Sequence, residues 1–201
     1  KVDTSIGLEK TKDKSDDAFT DIAKKLKIDC YRGYKLNVKG RVLKAAKKFS
    51  VDHIVKIWGD SPFLDVNIIN KALDEYLKFK PDVLSTNPRN EKDKKKNISN
   101  QFLPQGMDFD IYSTHALEKS LKYSNKISDF EHVNTVFFKK KDIFKTLKYI
   151  PDKKLFFPKA KLLLDEKSDY DFFKKLYEIQ NFRDNIINIR CDEIINILKK
   201  L

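Results

Sequence analysis

The chain has 201 residues, enough for one sizeable hydrophobic core, and its 40% hydrophobic and 12% aromatic content excludes a disordered polymer. The net charge of +12 invites a nucleic-acid reading, but the excess is nearly all lysine, with arginine only at Arg32, Arg41, Arg89, Arg183 and Arg190. Arginine is the preferred residue for bidentate phosphate and base contacts, and the lysines are interspersed with acids, so nucleic acid is not the expected partner.

In chain order, residues 2–8 read as a short strand and Ser15-Asp16 as a helix start, followed by the helical spacing Phe19, Ile22, Ala23, Leu26. Ile28-Asp29-Cys30-Tyr31 reads as a strand ending at Arg32-Gly33. Val38, Val42, Ala45, Ala46 and Phe49 form the next apolar stripe. Residues 53–58 form a strand. Asp65 caps a helix with inner face Val66, Ile69, Leu73, Tyr76 and Leu77, which Pro81 ends, and Val83-Leu84-Ser85 is a strand. This alternation predicts an α/β fold with a largely parallel sheet covered by helices on both faces.

The alternation then breaks. Residues 86–105 are polar, basic and proline-containing, and stretches of that kind form functional loops or arms. Phe109–Tyr112 reads as a strand, 114–123 and 129–139 as helices, and Lys161–Leu164 as a short strand ending at Asp165. Residues 169–179 and 191–200 read as closing amphipathic helices. No internal repeat or second domain is visible, so residues 1–201 are expected to form a single domain. Within it, 86–112 forms a loop or arm with a substrate or dimer role, and 191–201 the C-terminal helix.

No apolar run reaches membrane-span length, and Cys30 and Cys191 suit buried reduced thiols, so a cytoplasmic protein without a membrane partner is expected. No His/Cys cluster has zinc-ligand spacing, and neither a P-loop nor a Gly-x-Ser-x-Gly elbow is present.

The chemistry points to Trp58-Gly59-Asp60-Ser61-Pro62-Phe63-Leu64-Asp65, just past the run Ile54-Val55-Lys56-Ile57. In an open α/β sheet, ligands bind beyond the strand ends. Gly59 lets a ligand approach the backbone, and the Asp60 carboxylate is placed to hold a divalent metal on a phosphate. Asp165 follows a second short apolar run, so the two carboxylates could converge on one ion. Each could equally cap a turn or a helix.

Several segments, in order, resemble the cytidylyltransferases that make CMP-activated acidic sugars. The nearest branch is that of the spore-coat polysaccharide biosynthesis protein F family, with acylneuraminate cytidylyltransferases as relatives. Ser15-Asp16-Asp17 resembles the family's acidic pair. Tyr31-Arg32-Gly33 with Val38, Arg41 and Ala45-Ala46 resembles its Arg-Gly segment and following helix. Gly59–Asp65 resembles its Gly-Asp-Cys-Pro-Leu-Ile-Asp block, and Ser85–Asn87 its Ser-Asn step. Pro104-Gln105-Gly106-Met107-Asp108-Phe109-Asp110, Glu131-His132-Val133 and Leu164-Asp165-Glu166-Lys167-Ser168-Asp169-Tyr170 resemble later blocks.

The resemblance implies a three-layer, Rossmann-like nucleotide-diphospho-sugar transferase fold. It implies a nucleotidyltransferase forming a CMP-sugar from CTP and a sugar acid, for surface polysaccharide or glycan biosynthesis. It also implies Mg²⁺ on Asp60 and Asp165, and a homodimer that helps close the pocket. Nucleotide contacts are expected at Arg32, Arg41, Gly59 and Asn87, and sugar contacts at Gly106, Asp108, Asp110, Glu131 and His132.

The departures are also specific. Lys1-Val2 resembles the approach to the family's second strand. The family's opening strand and basic, glycine-containing phosphate loop have no counterpart here, so an N-terminally incomplete fold is expected. Gln105 and Phe130 stand where the family has arginine. The alternatives are a catalytically inactive fragment or binding protein of the same fold and a basic nucleic-acid-binding module.

Overall fold

A computed structural model describes residues 7–88, 101–179, 183 and 189–201. The first unit is a strand–helix–strand crossover: β1 (Gly7–Thr11), α1 (Asp17–Leu26) and β2 (Asp29–Gly33), the two strands running parallel. Asp16 fixes the exit from β1, accepting from the Thr11 N–H at 2.8 Å and the Thr11 hydroxyl at 2.6 Å. These bonds hold its carboxyl below the usual carboxylate range. The expected strand over 2–8 overlaps β1 at residues 7 and 8, β1 continues to Thr11, and residues 1–6 lie outside the described part.

The second sheet has four strands in the order β3 (His53–Lys56), β5 (Asp110–Ser113), β4 (Val83–Ser85) and β6 (Thr146–Lys148). β5 is antiparallel to both neighbours, while β4 and β6 are parallel. The expected mostly parallel sheet is therefore corrected: the described strands form two small sheets, one partly antiparallel. The physical reason lies in the chain between β4 and β5. A parallel neighbour needs a crossover, usually a helix, and the polar stretch after Ser85 has no amphipathic helical pattern.

Alternation along the central strands separates two apolar layers. Leu84 and Ile111 pack with Ile68, Ala72 and Tyr76 of α3 (Val66–Phe79), Leu176 of α7 (Lys167–Glu178), and Ile194 and Ile195 of α8 (Cys191–Leu198). Val83 and Tyr112 pack with Val42 and Leu43 of α2 (Val38–Lys48), Leu117 of α4 (Thr114–Leu121), and Phe137 of α6 (Thr135–Lys139). Helices thus cover both faces of the four-stranded sheet. Cys191 is buried and its thiol is pushed up to about 12 by burial, so it acts as a small hydrophobe. Among the described residues, no helix is long and apolar enough to cross a membrane.

Two further expectations change, and one strand is new. The helix expected over 129–139 is two, α5 (Ile127–Glu131) and α6, because His132 turns to an extended conformation at φ −98°, ψ 94°. The strand expected at Lys161–Leu164 is reduced to one parallel bridge between Gln105 and Lys161. β6 was not anticipated, since Thr146-Leu147-Lys148 is too short to show a period.

Asp65 caps α3 as expected and also does more. Its Oδ1 accepts from the Asn67 N–H at 2.8 Å, and its Oδ2 accepts from the buried Cys191 N–H at 2.9 Å. One carboxylate thereby fastens the starts of α3 and α8 together. Asp65→Ala removes a helix cap and orphans a buried donor, with an expected loss of about 2–3 kcal/mol. The check is a lower urea midpoint at unchanged slope; an unaltered midpoint would refute this role.

Candidate active site

One end of the four-stranded sheet carries a row of polar residues. Lys56 on β3 stands in register with Asp110 on β5, Asp110 with Ser85 on β4, and Ser85 with Lys148 on β6. Asp110 is only 1% exposed, and its Oδ1 accepts from the Asn134 side-chain amide at 3.0 Å. The same amide reaches the Ser85 hydroxyl at 3.4 Å, which also accepts from the Asn87 N–H at 3.2 Å. Asp108 Oδ2 accepts from the side-chain amides of Asn87 at 3.2 Å and Gln101 at 3.3 Å. Asn87, Asp108 and Asp110 are therefore brought together in one network.

Asn134 is the member that sequence reasoning missed. It is 3% exposed and follows the Glu131-His132-Val133 segment directly. Glu131 is exposed at the end of α5, and His132 is half-buried at its C-cap. The break between α5 and α6 is what turns Asn134 toward the sheet.

Asp60 lies in the turn after β3, where the Ser61 N–H bonds the Trp58 carbonyl at 3.2 Å. Its carboxylate is exposed and accepts from the Ser61 hydroxyl at 3.2 Å. The Asp60 backbone carbonyl accepts from the Leu164 N–H at 2.9 Å. Asp165, also exposed, is the next residue. Two segments about a hundred residues apart are thus joined at the positions that carry the two carboxylates. Neither carboxylate is in an ion pair among the described residues.

The Asp165 arm is fixed from its other side by Asp169, whose Oδ2 accepts from the Asp165 N–H at 3.0 Å, the Glu166 N–H at 2.8 Å and Lys161 Nζ at 2.7 Å. The Lys161 bond, first among these, holds the Asp169 carboxyl below its usual range. Asp169 is therefore spent on the start of α7, while Asp165 points no side-chain bond into it.

The two glycines named from the sequence differ in kind. Gly106 adopts φ +92°, and a Cβ there would stand 2.4 Å from the Leu162 carbonyl oxygen. Its neighbour Gln105 donates to the Ala160 carbonyl at 2.8 Å and accepts from the Leu162 N–H at 2.7 Å. Gly106 thus lets the 104–107 segment lie against the arm that leads to Asp165. A Cβ on Gly59 would meet nothing within 4 Å. Beside it, the Lys56 ammonium sits 3.9 Å from the Trp58 ring centroid.

Arg32 and Arg41 are committed to the protein. Arg32 donates to the Thr11 carbonyl at 2.8 Å, the Asp13 carbonyl at 2.6 Å and the Asp17 carboxylate at 2.5 Å. Arg41 is 8% exposed, pairs with Glu9, and donates to the carbonyls of Tyr34 at 2.7 Å and Lys35 at 2.9 Å. These bonds brace the C-terminal ends of β1 and β2.

Two carboxylates suit Mg²⁺, which takes one or two from protein and completes its shell with water and substrate phosphate. The pair fits that requirement in ligand type and in accessibility. No group of three or more His, Cys, Asp or Glu is placed to hold a metal among the described residues.

Residues 12–199 match the family model described as cytidylyltransferase. The chain is 30% identical over 187 residues to an uncharacterised protein of Methanocaldococcus jannaschii, across 93% of this chain and 70% of that protein. Its fold is similar to a solved structure of a cytidylyltransferase from Leptospira borgpetersenii serovar Hardjo-bovis. That likeness has a TM-score of 0.80 at 23% identity, covering 96% of this chain and 75% of the other.

Proposed function

The chain belongs to the cytidylyltransferase family, and from that premise we propose that it transfers CMP from CTP to a hydroxyl of a sugar acid. The sugar oxygen forms a bond to the α-phosphorus, the bond from that phosphorus to the bridging oxygen breaks, and pyrophosphate leaves. The hydroxyl proton passes to solvent. Catalysis of this kind rests on positioning and on stabilising charge.

The observation that carries the reading is the Leu164 N–H to Asp60 carbonyl hydrogen bond, which places the two aspartate-bearing segments side by side. Asp60 and Asp165 would hold Mg²⁺, which when bound supplies charge neutralisation at the triphosphate. The open space over Gly59 admits the nucleotide backbone closely. Asn87, Asp108 and Asp110, cross-linked by Asn134 and Ser85, form a rigid polar floor for hydroxyl groups. Glu131 and His132 border that floor through Asn134. The braced Arg32 and Arg41 hold the β1–β2 edge that faces a nucleotide, rather than offering free guanidinium donors.

The full-length protein, given CTP, Mg²⁺ and a panel of sugar acids, is expected to release pyrophosphate in stoichiometric proportion to CMP-sugar. Absence of both products across the panel, with folded protein, would overturn the reading.

A further inference from the structure

A cleft of about 190 Å³ lies between the loop after α4, α5 and the C-terminal end of α6, lined by Tyr123, Asn125, Lys126, Asp129, Lys139 and Lys140 among others. Beneath it sits Lys39, in the first turn of α2, with no exposed surface. Its ammonium donates to the Ser124 hydroxyl at 2.9 Å, and that hydroxyl donates onward to the Ser120 carbonyl at 3.0 Å. Burial pushes the Lys39 ammonium down to about 8, Asp129 pulls it back up, and Lys139 depresses it further.

Asp129 is the one carboxylate in the cleft lining, and it is already engaged. It is 2% exposed; its Oδ1 accepts from Lys139 Nζ at 2.9 Å, and its Oδ2 accepts from the N–H groups of Asn125 and Lys126, each at 3.2 Å. Lys39, Lys126, Lys139 and Lys140 thus surround a single carboxylate. Lys39 is buried and Lys139 half-buried, two ammonium groups against the one carboxylate of Asp129, while Lys126 and Lys140 add exposed positive charge at the mouth. Buried positive charge in excess of its partner is costly, and an anion relieves it. The surplus favours a dianion over a monoanion, and the cleft has room for a small tetrahedral ion with attendant water.

We propose that this cleft binds a phosphate-type oxyanion, with Lys126, Lys139 and Lys140 contacting it and Lys39 supplying charge from beneath. Asn134 stands immediately before α6, so an anion that steadies α6 also steadies the amide that holds Asp110. The site is made from residues other than Asp60 and Asp165 and does not depend on nucleotide chemistry.

The test is a titration of the full-length protein with inorganic phosphate, followed through backbone amide resonances, with acetate as the monoanion control. Saturable shifts are expected at Asn125, Lys126, Lys139 and Lys140, with acetate at least tenfold weaker. The exposed pair Lys126→Gln/Lys140→Gln, which disturbs no buried contact, should weaken phosphate at least tenfold. Lys39→Met should do likewise, whereas Asp60→Ala should leave phosphate binding unchanged. Shifts that do not saturate, shifts confined to the Asp60 and Asp165 segments, or unaltered affinity in the Lys126/Lys140 variant would each overturn the proposal.

Discussion

Asp60→Ala and Asp165→Ala are each expected to lower kcat/KM for CTP by about 10²–10³, the loss found when one preorganised stabiliser of transition-state charge is removed. The effects should not add. If both carboxylates hold one ion, losing either disables the pair, and the double variant should be little worse than the poorer single one. Folding is not expected to confound the measurement. Both side chains are exposed, and among the described residues the only side-chain bond to either carboxylate comes from Ser61 to Asp60. The contact that joins the two segments runs through the Asp60 backbone carbonyl, which alanine retains. Urea midpoints should therefore stay within about 0.5 kcal/mol of the parent. Full turnover in either variant would remove that carboxylate from the mechanism, and additive losses would argue that they act separately.

What could be read from the sequence was what has a local cause. Asp65 is legible as a cap because an acid precedes an apolar helical stripe, and Asp60 is legible as a strand-end carboxylate because an apolar run precedes a Gly-Asp step. The antiparallel course of β5 was only half legible. The loss of helical pattern after Ser85 announced that the alternation had stopped, but nothing local says in which direction the next strand runs. Asn134 was hidden because its role depends on a three-residue break between two helices whose apolar pattern reads as one. Lys39 was hidden for a different reason: a lysine beside Gly40 near a helix start looks solvent-facing, and only the packing of α2 against the α4–α5 loop buries it. The second function of Asp65, at Cys191, spans 126 residues and has no local signature at all.

Gly106→Ala should be the most destabilising of the small substitutions considered, by about 3–5 kcal/mol, or a fall in Tm of roughly 10 °C. The residue would have to hold φ +92° with a side chain, and its Cβ would press on the Leu162 backbone at 2.4 Å. Backbone cannot swing aside as a flexible side chain can. The bonds from Gln105 to Ala160 and from Leu162 to Gln105 flank the contact and resist separation. Relief would have to come from moving the 160–165 arm, which carries Asp165, so catalysis should fall along with stability. Gly59→Ala provides the opposite case. With nothing within 4 Å of its Cβ, stability should change by less than about 0.5 kcal/mol. If the nucleotide does approach the backbone there, KM for CTP should nonetheless rise about tenfold, because the added methyl occupies the path of the ligand rather than that of the protein. A Gly106→Ala protein as stable as the parent would mean that the arm is not held by this contact. A Gly59→Ala protein with unaltered KM would place the nucleotide elsewhere.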